Sequence, residues 1–403
     1  MMTAFTPATL GKLELKNRVL KAATFEGMSP DGVPSERLMA FHERLAQGGI
    51  AMTTFSYCTT EADGRIMDSM MYMHEGIRPQ LSEMIKRVHA AGAKVSGQMT
   101  HCGHFSKNKS LQRVKNPKGP SRQFNPIGMI AGRPVAGEMD HGDIDYLVAT
   151  YRDTAKFMRE TGFDALEIHF GHGYGLSQFI SPKTNKRTDE YGGPLTNRMR
   201  LALRVLEAVK SEAGDLPVLG KISMTDGVKG GSDWDEGFEV AKILDQAGID
   251  GLIPSAGTSS FNPMIMFRGD SINDGMVEME TNPIVKLGLK MVGPLLHKTY
   301  PYSELYLREE AMRINQAVSC PVIYIGGCST RESLDEIISE GFDFVQLGRA
   351  LLKDPDFVIN AQASASYVSG CTHCNRCVPL IEHPEGIRCV LHDKKRNKEA
   401  AHA

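Results

Sequence analysis

Apolar positions in this chain fall into two alternating rhythms. In the segment that ends at Gly162, Leu147, Tyr151, Thr154, Ala155 and Met158 recur at helical intervals, and a short, largely apolar run from Ala165 to Phe170 follows at once. Three junctions of this kind are nearly identical. Gly162-Phe163-Asp164-Ala165, Gly248-Ile249-Asp250-Gly251 and Gly341-Phe342-Asp343-Phe344 each close a helix-period segment and open a strand-like one. Glycine suits the left-handed residue that ends a helix, so each junction predicts a helix, a sharp stop and a strand. Looser copies, Gly48-Gly49 before Ile50 and Ala91-Gly92 before Lys94, extend the rhythm toward the N-terminus.

The rhythm predicts strands at residues 18 to 24, 50 to 56, 94 to 99, 165 to 170, 217 to 223, 251 to 255, 321 to 326 and 344 to 348. A helix-like stretch follows each, which implies parallel strands joined by right-handed crossovers. Eight such units predict an α/β fold of the closed (β/α)8 TIM-barrel type. An open doubly wound sheet is disfavoured because no Gly-rich dinucleotide fingerprint follows the first strand. Long connections follow strand 3 (Cys102 to Asp140), strand 4 (Gly171 to Thr196) and strand 6 (Thr258 to Tyr302). All lie on the face where strands end, the face on which such barrels carry their active sites. The third is Met-rich, and Met264, Met266, Met276 and Met279 suit equally the packing of a small accessory subdomain and contact with substrate.

The chain has 403 residues, 41% apolar and 23% charged, with a net charge of −2, enough for a large core. No run of about 18 apolar residues occurs, and no basic-then-apolar leader precedes Asn17, so neither membrane spanning nor export is expected and the chain reads as cytoplasmic. A near-zero net charge without a long basic stripe excludes a surface built for nucleic acid. Lys394-Lys395-Arg396 reads as a solvated tail. Length alone suggests two or three domains, but the barrel absorbs residues 1–365 and leaves 366–403 as a short appendage. Four of the eight cysteines, Cys371, Cys374, Cys377 and Cys389, crowd that appendage. In a chain without an export signal, such spacing favours a metal or cluster site over disulfides.

Candidate chemistry concentrates after strand 4, where two histidines and a tyrosine stand in the run His169-Phe170-Gly171-His172-Gly173-Tyr174. Read alone, the pair is weak evidence for zinc, because no carboxylates stand at ligand spacing. The imidazoles could instead donate hydrogen bonds to a substrate oxygen while Tyr174 delivers a proton, or they could simply brace the loop. The run continues as Gly175-Leu176-Ser177-Gln178-Phe179-Ile180-Ser181-Pro182, then Asn185, Arg187, Thr188, Asp189, Tyr191, Gly192 and Gly193.

This longer string resembles the signature of the old yellow enzyme family of FMN-dependent ene reductases. Asn17-Arg18-Val19-Leu20-Lys21-Ala22-Ala23 is similar to that family's first strand, and Gln98-Met99-Thr100-His101-Cys102-Gly103 to its third. Gly326-Gly327 and Gly348-Arg349-Ala350-Leu351 match its seventh and eighth. The resemblance covers roughly residues 5 to 365 and is strongest to the branch with 2,4-dienoyl-CoA reductase and trimethylamine dehydrogenase. It implies FMN across the barrel mouth, its ring edge touched by the backbone of Ala22, Ala23 and Thr24 and its pyrimidine ring by Gln98. Lys221 would place a fixed positive charge beside the edge that gains electrons, and Gly326, Gly327, Gly348 and Arg349 would hold the phosphate. His169 and His172 would bind the carbonyl oxygen of an unsaturated acceptor, flavin N5 would deliver hydride, and Tyr174 would protonate the α-carbon. Arg187, Asp189, Tyr191 and Asn197 would buttress the loop. Two departures stand out: Phe25 replaces the Thr or Cys that relatives place near the flavin, and His104 replaces an expected Arg.

The implied activity is reduction of activated C=C bonds, in α,β-unsaturated carbonyl or enoyl and dienoyl compounds, by NAD(P)H in a ping-pong cycle. One alternative is an amine or C–H dehydrogenase passing electrons to an acceptor protein; another is a flavin-free binding barrel. The four-cysteine spacing matches the [4Fe-4S] site of the dienoyl-CoA reductase branch, with zinc as the alternative metal and a remnant site of reduced thiols as a third reading. A small-molecule substrate, a separate electron-transfer partner for such a cluster, and a homo-oligomer are further expectations.

Overall fold

The computed structural model describes residues 3–280, 282–296 and 299–393; the Lys394-Lys395-Arg396 run lies outside them. Eight parallel strands form the barrel: β1 (Val19–Lys21), β2 (Met52–Thr59), β3 (Lys94–Thr100), β4 (Ala165–His169), β5 (Val218–Ser223), β6 (Gly251–Ser255), β7 (Ile323–Tyr324) and β8 (Phe344–Leu347). Their hydrogen-bonded order is β6-β5-β4-β3-β2-β1-β8-β7, and a parallel bridge from Leu252 to Val322 joins the two ends. The predicted (β/α)8 barrel is therefore the observed one. All eight predicted strands form, with β7 the shortest.

The repeated junction has a physical basis. Gly162, Gly248 and Gly341 each end a helix with φ of 103°, 79° and 98°, a conformation that disfavours any side chain. The following apolar residues, Phe163, Ile249 and Phe342, are buried in the main core. Each junction Asp then ties its strand to the adjacent one: the carboxylates of Asp164, Asp250 and Asp343 accept from Val95, Val218 and Val322 N–H at 2.8, 2.9 and 3.1 Å. One short motif thus ends a helix, anchors the next strand and sets its register.

An N-terminal hairpin, Ala8–Leu10 paired with Leu13–Leu15, closes the barrel floor. Its Leu10 and Leu15 cluster with Leu20, Met52, Ala165, Leu219, Ile253, Ile323 and Phe344 from the barrel strands. Side chains alternate along a strand, so the next inward layer is Thr54, Glu167, Lys221, Ser255 and Gln346, with Gln98 paired in register to Glu167. That layer is polar, and all its members are buried. The long connections stand above it. The one after β3 carries the short strands Lys118–Gly119, Gln123–Phe124 and Val135–Glu138, and the one after β6 carries the helices Ile272–Met279 and Pro283–Leu296.

Residues 366–393 pack onto the same face. Ile387 N–H donates to Glu26 O at 2.8 Å, beside β1, and Asp270 N–H, in the loop after β6, donates to His373 O at 3.1 Å. A side chain at Gly27 would collide with the Ile381 carbonyl at 2.2 Å, so that approach requires glycine.

Candidate active site

The polar layer is organised around Glu167. Its Oε1 accepts from Gln98 Nε2 at 2.6 Å and its Oε2 from Gln346 Nε2 at 3.2 Å. Lys221 Nζ lies 2.9 Å from Oε1, close enough for an ion pair but outside a hydrogen-bonding direction. Among the described residues, the buried polar atoms of the barrel interior without a protein hydrogen-bond partner include Thr54 Oγ1, Ser96 Oγ, Gln98 Oε1, Lys221 Nζ and Gln346 Oε1. Buried polar atoms are normally satisfied, so this concentration fits a polar ligand lying on the layer. The pyrimidine edge of a flavin, with its alternating carbonyl and N–H groups, has matching chemistry.

Above that layer, the predicted His169, His172 and Tyr174 come together. His169 Nδ1 stands 3.4 Å from Thr100 Oγ1, His169 Nε2 stands 2.9 Å from His172 Nδ1, and His172 Nε2 stands 2.8 Å from Ser255 Oγ. A consistent proton pattern runs from Thr100 through both imidazoles to Ser255. The two histidines were expected to share one substrate oxygen; here they bond to each other, so a shared oxygen would have to open that bond. Burial, and next the neighbouring charges, keep both rings neutral, with His172 lowered to about 3. His172 is held at φ 62° by its own N–H donating to Ser223 Oγ at 2.7 Å.

Tyr174 stacks obliquely on His169, with ring centroids 4.6 Å apart. Burial raises its pKa, opposed by hydrogen bonds with Ser259 and Tyr57, so the phenol carries its proton at neutral pH. The Tyr57 hydroxyl, from β2, lies 2.9 Å from that of Tyr174. Phe25 stacks on Tyr57 at 5.9 Å, and Phe25, Tyr57, Met67, Phe105 and Ile127 pack round Tyr174, Cys102, Ile66 and Met70 as a separate apolar cluster. The hydroxyl pair therefore lies in an apolar cluster.

Around β1, Ala22 N–H is bonded to Leu347 O at 2.9 Å, and Thr24 O accepts from Ser56 Oγ at 2.5 Å. Thr24 and Glu26 do not stand free in place of the missing Thr or Cys. Lys21 Nζ donates to Thr24 Oγ1 at 2.9 Å and to Glu26 Oε1 at 2.5 Å, and Thr24 Oγ1 donates to Glu26 Oε1 at 2.7 Å. Gly326 and Gly327 take φ of 133° and 81°, where a Cβ would strike Leu307 and Tyr306, and a Cβ at Gly348 would meet nothing within 4 Å. Arg349, expected at the phosphate, donates through Nη1 to Arg268 O at 2.8 Å and Asn375 Oδ1 at 2.5 Å. The loop after β4 is braced as expected: Arg187 Nε donates to Asp189 at 2.9 Å, Nη1 donates to Met139 O at 2.6 Å, and Asn197 Nδ2 donates to Gly192 O at 3.0 Å.

All eight cysteines are free. Cys371, Cys374, Cys377 and Cys389 are gathered closely enough that burial and the other three thiols together push Cys377 up to about 12, against a lowering by Arg349. Among the described residues, the only metal-type trio with ligand atoms within 4.8 Å of one another is His141, Asp189 and Glu190, so no three of these sulfurs approach that closely.

Sequence reasoning missed Glu167, Tyr57 and Asn375. Glu167 had a signal, since it stands two residues before His169 and shares its strand face. Tyr57 had none, being 117 residues from Tyr174.

The family model described as NADH:flavin oxidoreductase / NADH oxidase matches residues 3–257. A 4,4'-dithiodibutanoate disulfide reductase of Rhodococcus erythropolis is 38% identical over 400 residues, covering 98% of this chain and 96% of that protein. A metal reductase of Desulforamulus reducens is 26% identical over 395 residues, covering 97% of this chain and 53% of its own. A 2-naphthoyl-CoA reductase complex superposes with a TM-score of 0.78 at 22% identity, over 96% of this chain and 56% of that one, a likeness of fold. This chain thus spans about half the length of those last two proteins.

Proposed function

Since the chain belongs to the NADH:flavin oxidoreductase / NADH oxidase family and is an NAD(P)H-dependent flavin oxidoreductase, we propose that it reduces an activated C=C bond, with Tyr174 as the proton donor. The observation that carries this reading is the neutral His169–His172 pair beside a protonated Tyr174 in an apolar cluster. FMN would rest on Gln98 and Lys221, against the backbone of Ala22, Ala23 and Thr24, with Gly326, Gly327, Gly348 and Arg349 at its phosphate end. When bound, FMN supplies the hydride chemistry and accepts electrons from NAD(P)H.

The chain's own residues do the rest. Once the hydrogen bond between them opens, His169 and His172 would donate to the substrate carbonyl as neutral groups, polarising it without adding charge to a dry site. Tyr174 holds its proton until the α-carbon becomes basic, and the developing enolate is basic enough to take a proton even from a phenol whose pKa burial raises. The apolar wall formed by Phe25, Phe105 and Ile127 excludes water that would compete for that carbon.

A second reading, reduction of an organic disulfide, is favoured by the 38% identical disulfide reductase. There the S–S bond takes two electrons, and the products leave as thiolates with pKa near 8.5, which need no proton from a phenol. Cys102, beside Tyr174, is pushed up to about 12 by burial and offers no resident thiolate for exchange. Tyr174→Phe separates the two readings. Stopped-flow reduction of an enone should slow by roughly 10²- to 10⁴-fold, while flavin reduction by NAD(P)H is kept. A disulfide turned over equally by wild type and variant, with no enone turnover by either, supports the second reading; unchanged enone reduction sinks the proton-donor role.

At the cysteine appendage we propose a [4Fe-4S] cluster. Tetrahedral zinc at about 2.3 Å from each sulfur would bring the sulfurs to within about 3.8 Å of one another. The observed spread, with no trio inside 4.8 Å, suits a larger group. Iron-free protein carrying about one zinc per chain would refute the cluster.

A further inference from the structure

We propose that Glu167 is a positioning residue that fixes the hydrogen-bonding polarity of the floor on which the flavin would lie; this rests on the flavin reading above. Glu167 is fully buried, and it gathers three partners from three strands. Gln98 Nε2 is 2.6 Å from Oε1, Gln346 Nε2 is 3.2 Å from Oε2, and Lys221 Nζ is 2.9 Å from Oε1. A carboxylate only accepts hydrogen bonds. Each amide must therefore turn its NH2 toward Glu167 and its carbonyl oxygen away from it. Those two oxygens, Gln98 Oε1 and Gln346 Oε1, are the unpartnered ones, and the N–H groups of Lys221 are likewise unused. The floor thus presents two fixed acceptors and one cationic donor, the complement of a ring edge in which an N–H lies among electron-rich oxygens.

Without the carboxylate, neither amide has a reason to keep its oxygen outward, and Lys221 carries an unopposed charge in a dry layer. Glu167 should therefore have two separable effects. One is geometric, on how well the oxidised ring binds. The other is electrostatic, because Glu167 offsets Lys221 and so limits how strongly the floor prefers the electron-rich reduced ring.

The test compares holoenzymes of wild type, Glu167→Gln and Glu167→Asp. In Glu167→Gln, the dissociation constant of oxidised FMN should rise at least tenfold. The preference for reduced over oxidised FMN should also rise at least tenfold, an upward shift of the midpoint potential by about 30 mV for two electrons. Glu167→Asp keeps the charge but withdraws it from the amides. It should weaken oxidised FMN binding and leave the potential unchanged, which keeps the idea falsifiable if the Gln variant does not fold. Wild-type affinity and potential in Glu167→Gln would overturn the proposal, as would equal potential shifts in both variants. A wild-type protein that takes up no FMN would sink the flavin reading instead.

Discussion

Tyr57→Phe removes a single hydroxyl and probes how the proposed proton donor, Tyr174, is supported. In the wild type that hydroxyl lies 2.9 Å from the hydroxyl of Tyr174, and among the described residues the other partner of the Tyr174 hydroxyl is Ser259 Oγ at 3.5 Å. The Tyr57 bond lowers the pKa of Tyr174 against the rise caused by burial, so it stabilises the phenolate left after the proton is given away. A hydrogen bond to a charged group is worth about 1.5–3 kcal/mol. Since about 1.4 kcal/mol is tenfold in rate, the variant should slow proton delivery roughly ten- to hundredfold. Water entering the space of the lost hydroxyl would bring the effect to the lower end. The assay is stopped-flow oxidation of the reduced enzyme by an enone, beside reduction by NAD(P)H as the control half-reaction. If Tyr57→Phe reoxidises within twofold of wild type while Tyr174→Phe is strongly impaired, the phenol pair has no catalytic meaning. Equal slowing of both half-reactions would point to a general disturbance and refute the assignment as well.

Other expectations concern the scaffold. Asp250 accepts from Val218 N–H at 2.9 Å and from Lys210 Nζ at 3.1 Å, so Asp250→Ala should lower stability by about 1.5–3 kcal/mol. Urea denaturation checks this, with Asp215→Ala, which removes only the exposed pair with Lys12, expected to leave the midpoint unchanged. His104 is lowered to about 4, chiefly by burial. Its unfolded value near 6.5 is higher, so its contribution is complete above pH 6.5 and is lost as the pH falls toward 4, by about 3 kcal/mol. His104→Gln should flatten the decline of the urea midpoint across that window; an unchanged slope would mean that His104 does not titrate with unfolding.

What the sequence made legible follows from how local each feature is. The Gly-x-Asp junctions were readable because helix stop, buried apolar residue and strand anchor lie within four positions, and only the partner of the Asp is distant. The histidine pair was readable as a pair but not as a chain of hydrogen bonds, because Thr100 and Ser255 arrive from other strands. Glu167 was not legible as a hub, because only the barrel brings Gln98, Lys221 and Gln346 to it. Tyr57 needed the fold outright.

The appendage shows the same division more sharply. Its four sulfurs were visible in the spacing, yet their place depends on Asn375, which lies between Cys374 and Cys377 and whose side chain bonds to segments distant in sequence. Asn375 takes φ 54°, donates to Phe267 O at 2.5 Å and Asp270 O at 2.7 Å, and accepts from Arg349 Nη1. Arg349 follows β8, where the resemblance placed a phosphate ligand, and its charge also acts on Cys371 and Cys377. One guanidinium therefore ties the residue after β8 to the appendage and acts on its thiols. On the other side, the Ile387 bond to Glu26 fixes the segment leading to Cys389 against the β1 loop. The appendage is thus held at two points against the loops that would cradle FMN.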